Sequence, residues 1–77
     1  MARILVLDDV SDAGELIRRI LVRKGHAVDA FTEEEEALRH AAKTPPDLAI
    51  LDIKLKKMTG VEVLEELKKT APSIKVI

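Results

Sequence analysis

Four short apolar runs alternate along the chain with three longer stretches in which apolar residues recur at helical spacing. The first run, Ile4-Leu5-Val6-Leu7, is unbroken and β-prone, the pattern of a strand covered on both faces, and Asp8 and Asp9 stop it abruptly. Ala13, Leu16, Ile17, Ile20 and Leu21 then mark one stripe of a helix. Ser11 or Asp12 is its expected N-cap, with Glu15 three residues after Asp12 approximating the reciprocal capping arrangement. Gly25, after Arg23 and Lys24, reads as its stop. Residues 27–31 form a second short strand with Asp29 as its one polar interruption. Thr32-Glu33-Glu34-Glu35 reads as a capping box, and the glutamates at 33–36 load the positive end of the next helix with anions. That helix carries Ala37, Leu38, Ala41 and Ala42 on its stripe and ends before Thr44-Pro45-Pro46. Leu48-Ala49-Ile50-Leu51 is a third apolar strand, again closed by a carboxylate, Asp52. A polar loop at 54–59 leads to a helix capped by Thr59, with Glu62 three residues on, a stripe of Val61, Leu64, Leu67 and Ala71, and a stop at Pro72. Ile74 opens a fourth strand.

The resulting order is β-α-β-α-β-α-β. Nineteen residues (8–26) separate the first two strands and sixteen (32–47) the next two, enough for the crossovers that parallel pairing requires. Buried, run-type strands alternating with helices predict an α/β fold: an open parallel sheet with helices on both faces.

Composition narrows the function. The chain has 77 residues, enough for a single small domain spanning 1–77. Only 1% of its residues are aromatic, which argues against surfaces that stack on bases or sugars. The net charge of −1 supplies no global attraction to nucleic acid or to an anionic membrane, and neither is an expected partner of this segment. Without cysteine there is no disulfide framework, thiolate metal site or thiol nucleophile. No apolar run nears the roughly 18 residues of a membrane span, and the N-terminus does not read as a signal peptide; a cytoplasmic location is expected.

The chemistry gathers at the strand ends. In an open α/β sheet, ligands bind outside the carboxyl ends of the strands, where strand order reverses. Asp8, Asp9 and Asp52 all follow strands, and neighbouring first and third strands would bring them into one cleft. Crowded carboxylates repel unless a cation neutralises them, and a hard, oxygen-seeking ion such as Mg2+ suits the few protein ligands available. A single Asp after a strand is ordinarily a cap or turn residue, so the weight lies in the coincidence of the three.

These residues resemble a known family, the bacterial response-regulator receiver domain of two-component systems. The resemblance is carried by Ile4-Leu5-Val6-Leu7-Asp8-Asp9, by Pro46-Asp47-Leu48-Ala49-Ile50-Leu51-Asp52, and by Leu55, Met58 and Gly60 at three, six and eight residues after Asp52. It implies a flavodoxin-like, doubly wound sheet, of order 2-1-3-4 as far as this chain runs, and a phosphoacceptor role for Asp52 opposite a histidine kinase. It also implies Mg2+ bound directly by Asp9 and Asp52 and by the carbonyl of Lys54, with Asp8 acting mainly through water. A carboxylate can attack phosphorus to give an acyl phosphate, so the chemistry fits a self-modifying switch and not a turnover enzyme.

Two departures from the family stand out. Lys56 occupies the usual proline position four after the acceptor. The family's Thr or Ser after strand four and its Lys after strand five would lie beyond Ile77, as would the last strand and two helices. The expectation is therefore a truncated receiver domain with weak or undetectable phosphorylation. It is also expected to form a homodimer or higher oligomer through the unpaired edge of the fourth strand. A magnesium-dependent phosphohydrolase of another α/β family is disfavoured, because Lys54 stands where such enzymes want a second acid. His26 and His40 read as isolated surface residues, and the lysines at 54, 56 and 57 as solvated charge. Lys68 and Lys69 read as last-turn residues favoured by the helix dipole.

Overall fold

The first apolar run becomes β1 (Arg3–Leu7), the central strand of the sheet, with Ile4, Leu5, Val6 and Leu7 all buried. The computed structural model describes residues 1–51, 60–70 and 74–76. After β1 come α1 (Ser11–Arg23), β2 (Ala27–Phe31), α2 (Glu34–Lys43), β3 (Leu48–Leu51), α3 (Gly60–Thr70) and β4 (Lys75–Val76). The sheet order is β2-β1-β3-β4 and every pairing is parallel, as the alternating pattern and its crossover lengths predict. Leu7 is in register with Phe31 on one side and with Leu51 on the other.

Alternation along β1 divides the core between two faces. Leu5 and Leu7, with Ala49 beside them, point to the face covered by α2 and α3, where Ala37, Ala41, Val63, Leu67 and Ile74 complete one buried cluster. Phe31, Leu38 and Leu51 pack against its margin. Ile4 and Val6 point to the opposite face, where α1 lies. The approach there is close: a Cβ built on the buried Gly14 would sit 3.9 Å from Ala30 Cβ and from Val6 Cγ1.

Local chemistry fixes several element ends. At the end of α1, the Gly25 N–H donates to the Val22 carbonyl at 3.0 Å and the His26 N–H to the Leu21 carbonyl at 3.2 Å. This is the paired C-terminal closure that requires a left-handed residue, and Gly25 supplies it at φ +91°. The start of α1 differs from expectation. Its N-cap is Val10, not Ser11 or Asp12, and no side chain caps it. The Asp8 carboxylate accepts the Val10 N–H at 2.9 Å, closing a local turn that delivers the chain into the helix earlier. Glu15 turns to Arg18 and Arg19 instead of back to the first turn. Likewise α2 is capped by Glu33, with no side-chain cap bond, so Thr32 stands one residue outside the expected capping box. The glutamates at 34–36 do occupy its first turn, and its end at Lys43 is as expected.

Three expected stripes shift. On α1, Leu16 and Ile20 are 60% and 49% exposed, because the helix seats on the sheet through Gly14, Ile17 and Leu21. On α2, Ala42 is exposed while Ala37 and Ala41 face the core. On α3, Val63 and Leu67 are buried and Val61 is 60% exposed, so the inward face is rotated from the predicted one. The expected cap Thr59 and the expected end at Ala71 and Pro72 lie outside the described residues.

Side chains also lock the base of the sheet. The Asp47 carboxylate accepts the Arg3 N–H at 2.9 Å while the Asp47 N–H donates to the Arg3 carbonyl at 2.8 Å. The Asp47 carbonyl in turn accepts the Lys75 N–H, so one residue ties together the starts of β1, β3 and β4. Lys68 reaches from the last turn of α3 to the Ile74 carbonyl, a bond that goes beyond its favourable place on the dipole.

Candidate functional site

The carboxyl ends of β1 and β3 lie side by side because Leu7 and Leu51 are in register. Strand order reverses at β1, whose two neighbours are β2 and β3, so this is the crevice in which an open α/β sheet binds its ligands. Asp8 and Asp9 follow Leu7 there, and both are half-buried. The Asp8 N–H donates to the Phe31 carbonyl at 3.1 Å, prolonging the β1–β2 ladder by one residue and fixing where the acidic pair begins. Its Oδ1 accepts the Val10 N–H, and a carboxylate with one such bond keeps further lone pairs for water or a cation. The other expected site residues, Asp52 and Lys54, lie outside the described residues, as do Leu55, Lys56 and Met58. Among the described residues no three His, Cys, Asp or Glu side chains form a group that could hold a metal ion. The acidic oxygens of Asp8 and Asp9 are nonetheless the donors that hard Mg2+ prefers.

A cavity of about 340 Å³ opens on the β2 side of this pair, bounded by Asp8, Asp12, Glu15, Ala30, Phe31 and Thr32. No β3 residue lines it among the described residues. Glu15 is held well below the usual carboxylate range, at about 2, chiefly by hydrogen bonds from the Arg18 guanidinium, with Arg19 adding to the effect. Arg18 is correspondingly raised.

A family model of the response regulator receiver domain matches residues 4–77. The chain belongs to that family. Among curated relatives, this receiver domain is 39% identical over 66 residues to the alkaline phosphatase synthesis transcriptional regulatory protein PhoP of Bacillus subtilis (strain 168), a match covering 86% of this chain and 28% of PhoP. The chain thus spans about a third or less of the curated relatives it matches. Among solved structures, it superposes on the response regulator TrrA of Thermotoga maritima in complex with Mg(2+)-BeF with a TM-score of 0.89 and 37% identity, covering 99% of this chain and 66% of that one. The same regulator in complex with the histidine kinase ThkA gives a TM-score of 0.88 with the same identity and coverage. The flavodoxin-like receiver fold expected from the motifs is therefore the fold found.

Several residues have partners that the pattern did not reveal. His40 is not a free surface residue: its Nε2 donates to Asp29 Oδ2 at 3.0 Å, and its ring lies 5.1 Å from that of Phe31. This explains the polar interruption in β2, since Asp29 shares a face with Phe31 and meets α2 across it. His26 accepts the Ala2 N–H on Nδ1 at 3.0 Å and tethers the start of the chain. Glu34 is 1% exposed, a buried carboxylate within an otherwise solvated run of glutamates. The helical position of Glu34, three before Ala37 and seven before Ala41, was the available signal for its burial.

Proposed function

We propose that residues 1–77 act as a single phosphoacceptor unit in which Asp52 takes a phosphoryl group from a histidine kinase. The observation that carries this reading is the register of Leu51 with Leu7. The residues that follow them in sequence are Asp52 and the Asp8–Asp9 pair, so the chain leaves both strands at one level with a carboxylate next on each. The TrrA–ThkA complex supports the choice of phosphodonor, and the TrrA complex with Mg(2+)-BeF supports the choice of cation.

In the proposed step a carboxylate oxygen of Asp52 attacks phosphorus. The P–N bond of the phosphohistidine breaks as the P–O bond forms, and the imidazole keeps the bonding pair and takes up a proton. Asp9, Asp52 and the Lys54 carbonyl would hold Mg2+, with Asp8 acting through water. When bound, the ion shields the approaching anions and stabilises charge on the transferring oxygens. The turn that Asp8 closes on Val10 keeps the backbone of the acidic pair fixed, so its charges need no rearrangement as the phosphoryl group arrives. The protein is modified once per event and is not a turnover enzyme.

Incubation with a radiolabelled small phosphodonor and Mg2+ tests this. A substoichiometric adduct is expected on the wild-type chain, absent from Asp52→Ala and reduced at least tenfold by Asp9→Asn. An adduct that survives Asp52→Ala overturns the assignment.

A second reading, self-association, has its own observation. Among the described residues β4 pairs with β3 alone and forms one edge of the sheet. Unpaired backbone donors and acceptors on such an edge are a template for another strand. Light scattering behind a sizing column should give a mass above that of one chain at micromolar concentration; a well-folded monomer there refutes the reading.

A further inference from the structure

The net charge of −1 hides a segregation of charge along the strands. Every pairing is parallel, so all four strands start at one edge of the sheet. The helices lie in crossovers between parallel strands and run the opposite way, so their C-terminal ends return to that same amino edge. Arg3 opens β1 there, Arg23 and Lys24 close α1, and Lys43 closes α2; all four are exposed. Lys68 and Lys69 occupy the last turn of α3. Of the acids near this edge, Asp47 accepts the Arg3 backbone N–H, and Glu66 pairs with Lys69 at 3.2 Å. Among the described residues no carboxylate pairs with the side chains of Arg3, Arg23, Lys24 or Lys43. The helix dipole accounts for cations in a last turn, but it does not account for Arg3, which opens a strand.

The arrangement of these cations is two-dimensional. The helix α1 lies on one face of the sheet and α2 and α3 on the other, with Arg3 in the layer between. A flat anionic surface can meet all of them at once, whereas a nucleic-acid duplex is convex and meets one row. A single nucleic-acid strand would need aromatic side chains to stack on, and Phe31, the one aromatic residue of the chain, packs against the core. The acids of the opposite edge do not cancel the attraction. Asp8 lies five residues beyond Arg3 along extended chain, about 16 Å, twice the Debye length of about 8 Å at physiological ionic strength.

We propose that the amino edge of the sheet is a docking surface for an anionic lipid membrane. The contact is electrostatic: the basic side chains face the headgroups, and no apolar side chain has to enter the bilayer. Docked this way, the chain turns the Asp8–Asp9 pair toward the aqueous phase, at the edge away from the lipid. The proposal rests neither on the phosphoacceptor chemistry nor on self-association.

Co-sedimentation with lipid vesicles at about 50 mM salt tests it. The 77-residue chain is expected to pellet with phosphatidylcholine vesicles containing about 30% phosphatidylserine, and to stay in solution with phosphatidylcholine alone. Raising the salt to about 0.5 M should release it. Lys24→Gln and Lys43→Gln, one on each side of the sheet, should each weaken binding about fivefold, and together about 25-fold. Glu36→Gln also changes the net charge by one unit, but it lies in the first turn of α2, about 10 Å from Lys43 along the helix. It should alter binding by less than about twofold. All three side chains project from the surface, so far-ultraviolet dichroism should be unchanged. No pelleting with the phosphatidylserine vesicles overturns the proposal. A loss confined to one of the two lysine variants overturns docking on a flat surface. Binding that tightens about fivefold in Glu36→Gln is the mark of net charge alone and overturns the amino-edge patch. A lower dissociation constant for a DNA duplex of about 20 base pairs than for the vesicles, at the same salt, overturns the choice of a membrane.

Discussion

Two glycines show how differently one residue type can act within a single helix. Gly25 holds φ at +91°, a conformation that any side chain strains, and it closes α1 through two backbone bonds. Gly25→Ala should cost about 1 kcal/mol or somewhat more. Gly14 lies inside the helix, and a Cβ there would meet its nearest neighbours at 3.9 Å, an ordinary contact. Gly14→Ala should therefore raise stability by roughly 0.5–1 kcal/mol, through the lower entropy of the unfolded chain. Urea midpoints of the two variants should move in opposite directions. Glu15 makes a prediction in pH. Arg18 and Arg19 hold its carboxyl near 2, against an ordinary value of 4.5. A depressed carboxyl contributes stability above its unfolded value and loses it as pH falls through the folded one. Between pH 4.5 and 2 the wild type should thus lose stability more steeply than Glu15→Gln, while above pH 5 the difference between them should be constant. The effect is small, since the pairs lie at the surface and salt screens them. Parallel stability curves across the acid range would remove the claim.

At the scale of elements, the strands were legible and the helix surfaces less so. A strand covered on both faces is apolar throughout, as 4–7 and 48–51 are, and 27–31 departs from this only at Asp29; β2 and β3 have the predicted bounds. Asp29 looked like a flaw in that rule only because its partner, His40, sits on the next helix. Helix starts were misjudged by a residue or two. Capping patterns read the local sequence alone, whereas the Asp8 side chain set the entry to α1 from the preceding turn. The inward face of α3 was ambiguous for a different reason. Val61, Val63, Leu64 and Leu67 are apolar over a broad arc, and the placement of α2 and β4 decides which of them turn inward. That decision can be measured. Leu67→Ala should cost about 2–5 kcal/mol, because the side chain is fully buried in the cluster, while Val61→Ala should change stability by less than about 0.5 kcal/mol. Equal costs at the two positions would mean that α3 sits on its other face. Of the expected site residues, Asp8 and Asp9 stand out in the sequence as charges that end an apolar run, while Asp52 and Lys54 lie outside the described residues. At the opposite end of the sheet, no pattern could have assigned Asp47 its place, since its partner Arg3 is 44 residues away.

For the molecule as a whole, the proposed self-association would make stability depend on concentration. Pairing at the β4 edge would join only folded chains, so the melting temperature should rise with protein concentration; one that stays level across a hundredfold range removes that reading. Among the described residues of this receiver domain, α2 and α3 cover one face of the sheet and α1 lies on the other. Its strand order carries a consequence in time. The central strand is the first to be made, and both of its partners come later, β2 beginning at Ala27 and β3 at Leu48. Each pairing must wait for a helix-length crossover to close, so β1 gains its first strand partner with Phe31 and its second only with Leu51. Folding of this kind is limited by long-range search, not by helix formation. Val6, flanked by strands on both sides and 1% exposed, is therefore expected to matter to the folding rate, and Val6→Ala should slow folding in stopped-flow refolding.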